Sequence, residues 1–236
     1  MRPKYRRALL KIGGEVFSGE EKAIERTPLD FITGEIEDAV RLGTTLGVVV
    51  GGGNMVRGAN ASALGIDRVT GDYMGMLGTM INGLALRSCL VRRGVEATVM
   101  SAIEMGSISE RFVRDRAMRY LDEGHVLIFS CGTGNPYFTT DTAASLRAVQ
   151  IEADVLLKGT KVDGVYEDDP SANRGARRLE KLSYLEYLRR GLKVMDSTSI
   201  SFCMEQELPV VVFNIYEKGN LSRALLGEGI GSTVAH

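Results

Sequence analysis

Three cations in this sequence lie beside clusters of glycine, and these are the residues whose type and spacing could do chemistry. Lys11 precedes Gly13-Gly14, Arg57 follows Gly51-Gly52-Gly53-Asn54, and Lys158 precedes Gly159-Thr160. A fourth cluster, Gly132-Thr133-Gly134-Asn135, has no neighbouring cation. Glycine permits positive φ and lets amide N–H groups approach an anion with no β-carbon in the way, so glycine beside Lys or Arg is suited to holding phosphate. Ordinary turns between strand and helix also use glycine, and one such loop would be weak evidence. Four in one chain suggest a crevice for more than one phosphate group.

Each cluster follows an apolar run of strand length, at 8–12, 46–50, 126–130 and 155–157, and further runs occupy 95–100 and 210–213. Val, Leu and Ile in nearly continuous order imply strands covered on both faces, and helical segments lie between them. The prediction is an α/β fold, a three-layer α/β/α sandwich around a mostly parallel sheet, formed by residues 1–236 as a single domain. In such a sheet the loops after the strands emerge at the carboxyl edge, where ligands bind. Thr27-Pro28-Leu29-Asp30 predicts a helix capped by Thr27 and ended by Gly43. Ser183 with Glu186, and Ser107 with Glu110, read as capping boxes, the second opening a helix that Gly124 closes. Residues 70–93 predict one long helix whose Gly75, Gly78 and Gly83 lie against closely packed backbone.

Composition removes several classes of function. At 236 residues and 44% apolar content the chain buries a core without disulfide or metal. A net charge of −1 lacks the positive field that non-specific nucleic-acid or membrane-surface binding needs. Cys89, Cys131 and Cys203 are odd in number and without metal-ligand spacing, which fits a reducing cytoplasm. The basic first residues lead into an apolar run broken at Lys11 and Gly13, too short for a signal peptide or membrane span. No Gly-Lys dipeptide occurs, so a Walker A loop is excluded. The Rossmann spacing fails because Gly132-Thr133-Gly134 continues through Asn135 and Pro136 to Tyr137 instead of a third glycine.

In their order and spacing these blocks resemble the bacterial uridylate kinases of the amino-acid-kinase superfamily. The resemblance is carried by Lys11-Ile12-Gly13-Gly14-Glu15, Gly51-Gly52-Gly53-Asn54 with Arg57, Gly71-Asp72 with Met74-Gly75-Met76, Gly132-Thr133-Gly134-Asn135-Pro136 running to Thr139-Thr140-Asp141, Lys158 with Thr160-Lys161-Val162-Asp163-Gly164, and Lys193-Val194-Met195-Asp196. It implies transfer of the γ-phosphoryl group of ATP to UMP in pyrimidine nucleotide synthesis, with the N-terminal part mainly binding the acceptor and the C-terminal part mainly ATP. It implies catalytic roles for Lys11, Arg57, Asp141 and Asp196. ATP would be held by Lys11, Ile12, Gly13, Gly14, Gly53, Arg57, Thr160, Tyr166 and Asp169. UMP would be held by Gly52, Arg57, Asp72, Thr133, Gly134, Asn135, Pro136, Tyr137, Phe138, Thr139 and Thr140. Mg²⁺ is expected with ATP, bound through the nucleotide's phosphates and water. A cytoplasmic homohexamer inhibited by UTP is also implied, with neither nucleic acid nor membrane as partner.

Structural alternatives stay open for several of these residues. Asp72 and Asp196 could each cap a helix, Tyr166 could be a packed loop aromatic, and Arg57 a surface ion pair. The acidic Asp141 and Asp196 make sense beside phosphates only if they orient Lys11 or act through Mg²⁺ and its waters. Three departures from the family pattern stand out: Gly13 where a serine is usual, Tyr73 where a histidine is usual, and a segment 19–26 without the Gly-Phe-Gly associated with GTP activation. Two other functions compete, an acetylglutamate or carbamate kinase of the same superfamily and a nucleotide-binding regulator without turnover.

Overall fold

The computed structural model describes residues 2–19, 23–55, 63–168, 172–173 and 175–236. Strand β1 (Arg7–Ile12) lies near the middle of a nine-stranded sheet. On one side of it lie β2 (Thr45–Val50), β5 (Val126–Ser130), β3 (Ala97–Ser101) and the short edge strand β4 (Glu110–Arg111). On the other lie β6 (Val155–Thr160), β10 (Val210–Asn214), β11 (Ser232–Ala235) and β9 (Lys181–Ser183). All neighbouring pairs are parallel except β10 with β11. The chain fills one side first and then crosses β1 to build the other, so the reversal of strand order falls between β1 and β6, where an open α/β sheet places its ligand crevice. A separate hairpin pairs β7 (Val165–Tyr166) with β8 (Arg178–Leu179).

Alternation along β1 explains the layers. Ala8, Leu10 and Ile12 point into one buried cluster with residues of α1 (Arg26–Arg41), α2 (Arg68–Arg92) and α7 (Asn220–Leu226). Leu9 points into a second cluster with α3 (Arg114–Asp122), α4 (Thr140–Gln150), α5 (Tyr184–Arg189) and α6 (Ser197–Glu205). This is the expected three-layer sandwich. By the same alternation Lys11 and Lys158 fall on the α4 side.

Helix α2 is long and apolar enough to cross a membrane by length and composition, but half of its most apolar 18-residue window is buried, as in a core helix. It starts two residues before the predicted Thr70, because Asp67 accepts from the Thr70 amide at 3.1 Å and hydroxyl at 2.6 Å. Gly78 is packed against backbone as predicted, a β-carbon there lying 3.2 Å from the Gly52 carbonyl oxygen, whereas Gly83 is close to side chains instead, a β-carbon there meeting the Ser130 hydroxyl and lying 3.3 Å from the Ile128 side chain. Gly75 has open space at that position.

Two helix starts differ from expectation. Helix α1 begins at Arg26 with Glu25 at its N-cap, the Glu25 carbonyl accepting from the Leu29 amide at 3.2 Å. Thr27 is thus inside the helix, and Pro28 takes a first-turn position whose N–H would have no partner anyway. The Ser107–Glu110 box does not form, because Glu110 pairs with β3 and its carboxylate is taken by the Tyr120 hydroxyl at 2.6 Å and Arg116 at 3.1 Å. The helix there, α3, starts only at Arg114. Ser183 does cap α5, accepting from the Glu186 amide at 3.1 Å, and Gly43 and Gly124 follow their helices at φ of 87° each. Strands β4, β7, β8, β9 and β11 were outside the six predicted runs; four of them have two or three residues or lie at an edge, too short to show an apolar period.

Candidate active site

The loops after β1, β2 and β5 meet in a cleft of about 360 Å³. Its floor is backbone against backbone. A β-carbon at Gly14 would lie 2.6 Å from the Gly53 nitrogen, and one at Gly52 would lie 2.9 Å from the Thr79 nitrogen. Both positions therefore need glycine, since such distances are inside van der Waals contact. The β2 loop is pinned from below by two buried amides. Asn82 on α2 donates to the Gly51 carbonyl at 2.7 Å and to the Asn54 side chain at 2.8 Å, and Asn54 donates back at 3.2 Å.

A charged cluster forms the wall beneath this cleft. Lys11 and Lys158 are register partners on β1 and β6, and Asp141 in the first turn of α4 lies between them. Asp141 Oδ1 faces the Lys11 ammonium at 2.9 Å, an ion pair without the alignment of a hydrogen bond. Lys158 donates to Asp141 Oδ2 at 2.5 Å and to the Val194 carbonyl oxygen. The three side chains are 9–13% exposed. Burial alone would push the Asp141 carboxyl up, but the two ammonium groups outweigh it and hold it below the usual carboxylate range. Burial pulls Lys158 below the usual lysine value, the Asp141 carboxylate only partly offsetting it and Lys11 adding to it. Two cations on one carboxylate leave an excess of positive charge. Lys11 is on the cleft side of it, and Lys158 lines no part of the cleft.

A second cleft of about 430 Å³ lies on the other side of Asp141 and is lined by Tyr187, Leu192, Lys193, Met195 and Asp196. The clefts are joined through hydroxyls. Thr139 caps α4 by accepting from the amides of Asp141 at 3.0 Å and Thr142 at 3.3 Å, and its hydroxyl donates to Asp196. Thr142 donates to the same carboxylate at 3.2 Å, which also caps α6 by accepting from the Ser199 amide at 2.7 Å. Among the described residues no group of three or more His, Cys, Asp or Glu side chains could hold a metal ion. With Asp141 committed to two lysines and Asp196 to two hydroxyls and an amide, neither carboxylate fits a protein-held divalent cation.

Residues 6–214 match the model of the amino acid kinase family. The chain belongs to that family. Among solved structures similar to this family member, UMP kinase from Bacillus anthracis superposes with a TM-score of 0.96 at 37% identity, covering 99% of this chain and 97% of that one. UMP kinase from Ureaplasma parvum gives 0.93 at 33% identity over all of both chains. Uridylate kinase from Archaeoglobus fulgidus gives 0.75 at 27% identity, covering 97% of this chain and 99% of that one.

The residues singled out by family resemblance are distributed as follows. Lys11, Gly13, Gly14, Gly52, Gly53, Asp72, Phe138, Thr139 and Thr140 line the first cleft, and Asp141 and Asp196 line the second. Thr133, Gly134, Asn135, Pro136 and Tyr137 form the loop beside the first cleft without lining it, the Thr133 hydroxyl accepting from the Asn135 amide at 3.2 Å. Ile12 is fully buried in the core. Thr160 and Tyr166 line neither cleft; Thr160 ends β6, and the Tyr166 hydroxyl donates to Asp163, which raises its pKa first through that bond. Asp72 is not a helix cap, because α2 starts four residues earlier; Asp196 is one. Arg57 and Asp169 lie outside the described residues. Sequence reasoning overlooked Glu15 and Thr79 in the first cleft and most of the second. The Lys193-Val194-Met195-Asp196 block was the available signal for the latter.

Proposed function

We propose that this protein is a uridylate kinase, transferring the γ-phosphoryl group of ATP to UMP to give ADP and UDP for pyrimidine nucleotide synthesis. The observation that carries the reading is the presence of Lys11 and Asp72 in the same glycine-floored cleft, a cation suited to phosphate and a carboxylate suited to ribose hydroxyls. An acetylglutamate or carbamate acceptor has no ribose for Asp72 to hold. Membership of the amino acid kinase family and the full-length match to UMP kinases support it.

The chemistry asks little of the protein beyond placement and charge. The acceptor phosphate has a second pKa of about 6 and is mostly dianionic near neutrality, so no general base is needed. An acceptor phosphate oxygen bonds to the γ-phosphorus as the bond from that phosphorus to the β–γ bridging oxygen breaks, and ADP leaves with the electron pair. Lys11 neutralises charge on the transferring group, and Asp141 holds its ammonium in place. Thr140, at the N-terminus of α4, receives the acceptor phosphate where the helix dipole is favourable. The second cleft, behind Asp196, takes part of the donor nucleotide. Arg57 forks between the phosphates of both substrates, and Thr160, Tyr166 and Asp169 belong to the adenosine side, all on family resemblance. Magnesium bound to the phosphates of ATP would supply further neutralisation of their charge.

The proposal extends to one unit spanning residues 1–236, acceptor-binding in its N-terminal part and donor-binding in its C-terminal part, working in the cytoplasm, where three unpaired cysteines are at home. Exposed Tyr73, Leu77 and Ile81 along one face of α2 support self-association, which we take to be a hexamer, with UTP as inhibitor. An ADP-release assay over UMP, CMP and N-acetylglutamate tests the function: turnover highest with UMP is expected, and no preference for UMP would end the reading. Light scattering with and without UTP tests assembly, and a monomer at every concentration would refute it.

A further inference from the structure

One contact at the cleft is unexplained by transfer chemistry. Arg68, in the first turn of α2, places its Nε 2.8 Å from both carboxylate oxygens of Asp72. The Asp72 side chain is 14% exposed and that of Arg68 is 55% exposed, so the guanidinium is on the solvent side of the carboxylate. Asp72 Oδ2 also accepts from the backbone amide of Tyr137 at 2.7 Å, across 65 residues of sequence. Tyr137 has φ of 72°, a left-handed conformation that a bulky non-glycine residue adopts only when something holds it. The Arg68 guanidinium lies 5.6 Å from the centroid of the Tyr137 ring, within range of a cation–π contact. Arg68 thus touches both ends of the Asp72–Tyr137 bridge.

We propose that Arg68 is a positioning residue for the acceptor nucleotide, acting through Asp72 and Tyr137. The inference rests on the reading of this cleft as the acceptor site. Two jobs fall to it. A bare carboxylate at Asp72 would repel the dianionic phosphate bound in the same cleft, and Arg68 cancels that charge while its Nε leaves carboxylate lone pairs free for ribose hydroxyls. It also fixes the carboxylate rotamer, and with it the Tyr137 amide, so that residues 132–139 keep the curvature that brings Phe138, Thr139 and Thr140 to the cleft wall. Neither job concerns the donor.

Titration calorimetry with UMP and steady-state kinetics on the full chain test this with Arg68→Gln, Asp72→Asn and the double variant. Arg68→Gln is expected to weaken UMP binding about five- to tenfold, the size of one partly exposed ion pair with its stacking contact, and to leave the KM for ATP and kcat within about twofold. The double variant is expected to lose less UMP binding than the sum of the two single losses, because the Arg68–Asp72 ion pair is already gone in Asp72→Asn and only the contact with the Tyr137 ring is left to lose. Arg68→Lys is expected to recover part of the loss. Additive losses in the double variant, unchanged UMP binding in Arg68→Gln, or equal losses for both substrates with a lowered melting temperature would each overturn the inference. A wild-type protein that fails to bind UMP would overturn the acceptor reading and this inference with it, whereas normal wild-type binding with an unaffected Arg68→Gln would strike the inference alone.

Discussion

Lys11 and Lys158 stand opposite each other on adjacent parallel strands, and the carboxylate of Asp141 lies between their ammonium groups. Two buried like charges in register would repel if left alone. The fold places them on the face that α4 covers and brings the first turn of α4, with its acidic residue, down onto both. Lys158 turns inward to the Val194 carbonyl, and Lys11 turns to the cleft. One of the pair is thereby committed to the protein and the other left at the phosphate site.

Asp141→Asn should damage both folding and turnover. It keeps the volume but leaves two buried ammonium groups without a carboxylate, and removing one partner of a buried charge cluster costs about 3–5 kcal/mol. Urea denaturation should show a loss of that size, and turnover should fall more than tenfold as Lys11 loses its orientation. Wild-type stability in this variant would show that Asp141 is not the centre of the cluster.

The same group sets a pH dependence. The Asp141 carboxyl is held below the ordinary aspartate value of 3.8 in the folded protein, so the unfolded chain binds more protons in the window between the folded value and 3.8. Stability from this group is fully present above that window and is lost as pH falls through the folded value. Denaturation measured from pH 5 downwards should therefore show a component of acid destabilisation that is absent in Asp141→Asn. Identical pH profiles would contradict the assignment.

Much of this site was legible because its parts are local in sequence. Lys11 at a strand end before Gly13-Gly14, and Gly51-Gly52-Gly53 after β2, announced close backbone approach before any contact was known, and Gly14 and Gly52 do meet neighbouring backbone. The partner of Lys158 was not legible. Its place beside Lys11 depends on β6 crossing to the far side of β1, and its burial depends on α4 lying over both, neither of which a spacing pattern contains. The failed Ser107–Glu110 box has the same cause, since a pairing with β3 won over a local cap. Asn82, in the middle of an apolar helix, gave no sign that it would hold the β2 loop through Gly51 and Asn54.

Gly52→Ala tests that backbone contact. The added methyl would lie 2.9 Å from the Thr79 nitrogen and 3.1 Å from the Gly78 carbonyl carbon, so α2 or the β2 loop must move. Overpacking of this kind costs about 1–3 kcal/mol, and the loop shift should raise the KM for nucleotide. Thermal melting and steady-state kinetics measure the two effects. A variant as stable and as active as wild type would mean that the loop yields freely.

Lys11→Met and Lys158→Met separate the two lysines. Lys11 is on the cleft, so its loss should cut turnover more than tenfold, because charge on the transferring group goes unneutralised. Its methionine variant keeps the Lys158–Asp141 contact and should lose less stability than the variant at Lys158. Lys158 is buried behind Asp141 and bonded to the Val194 carbonyl, so Lys158→Met strips a partner from each and should lower stability by about 3–5 kcal/mol. In the Lys158 variant, activity should fall together with the folded fraction and recover at lower temperature, where more of the chain is folded. In the Lys11 variant, cooling should recover nothing. If turnover per folded molecule fell equally in both, the division between a structural and a phosphate-facing lysine would be wrong.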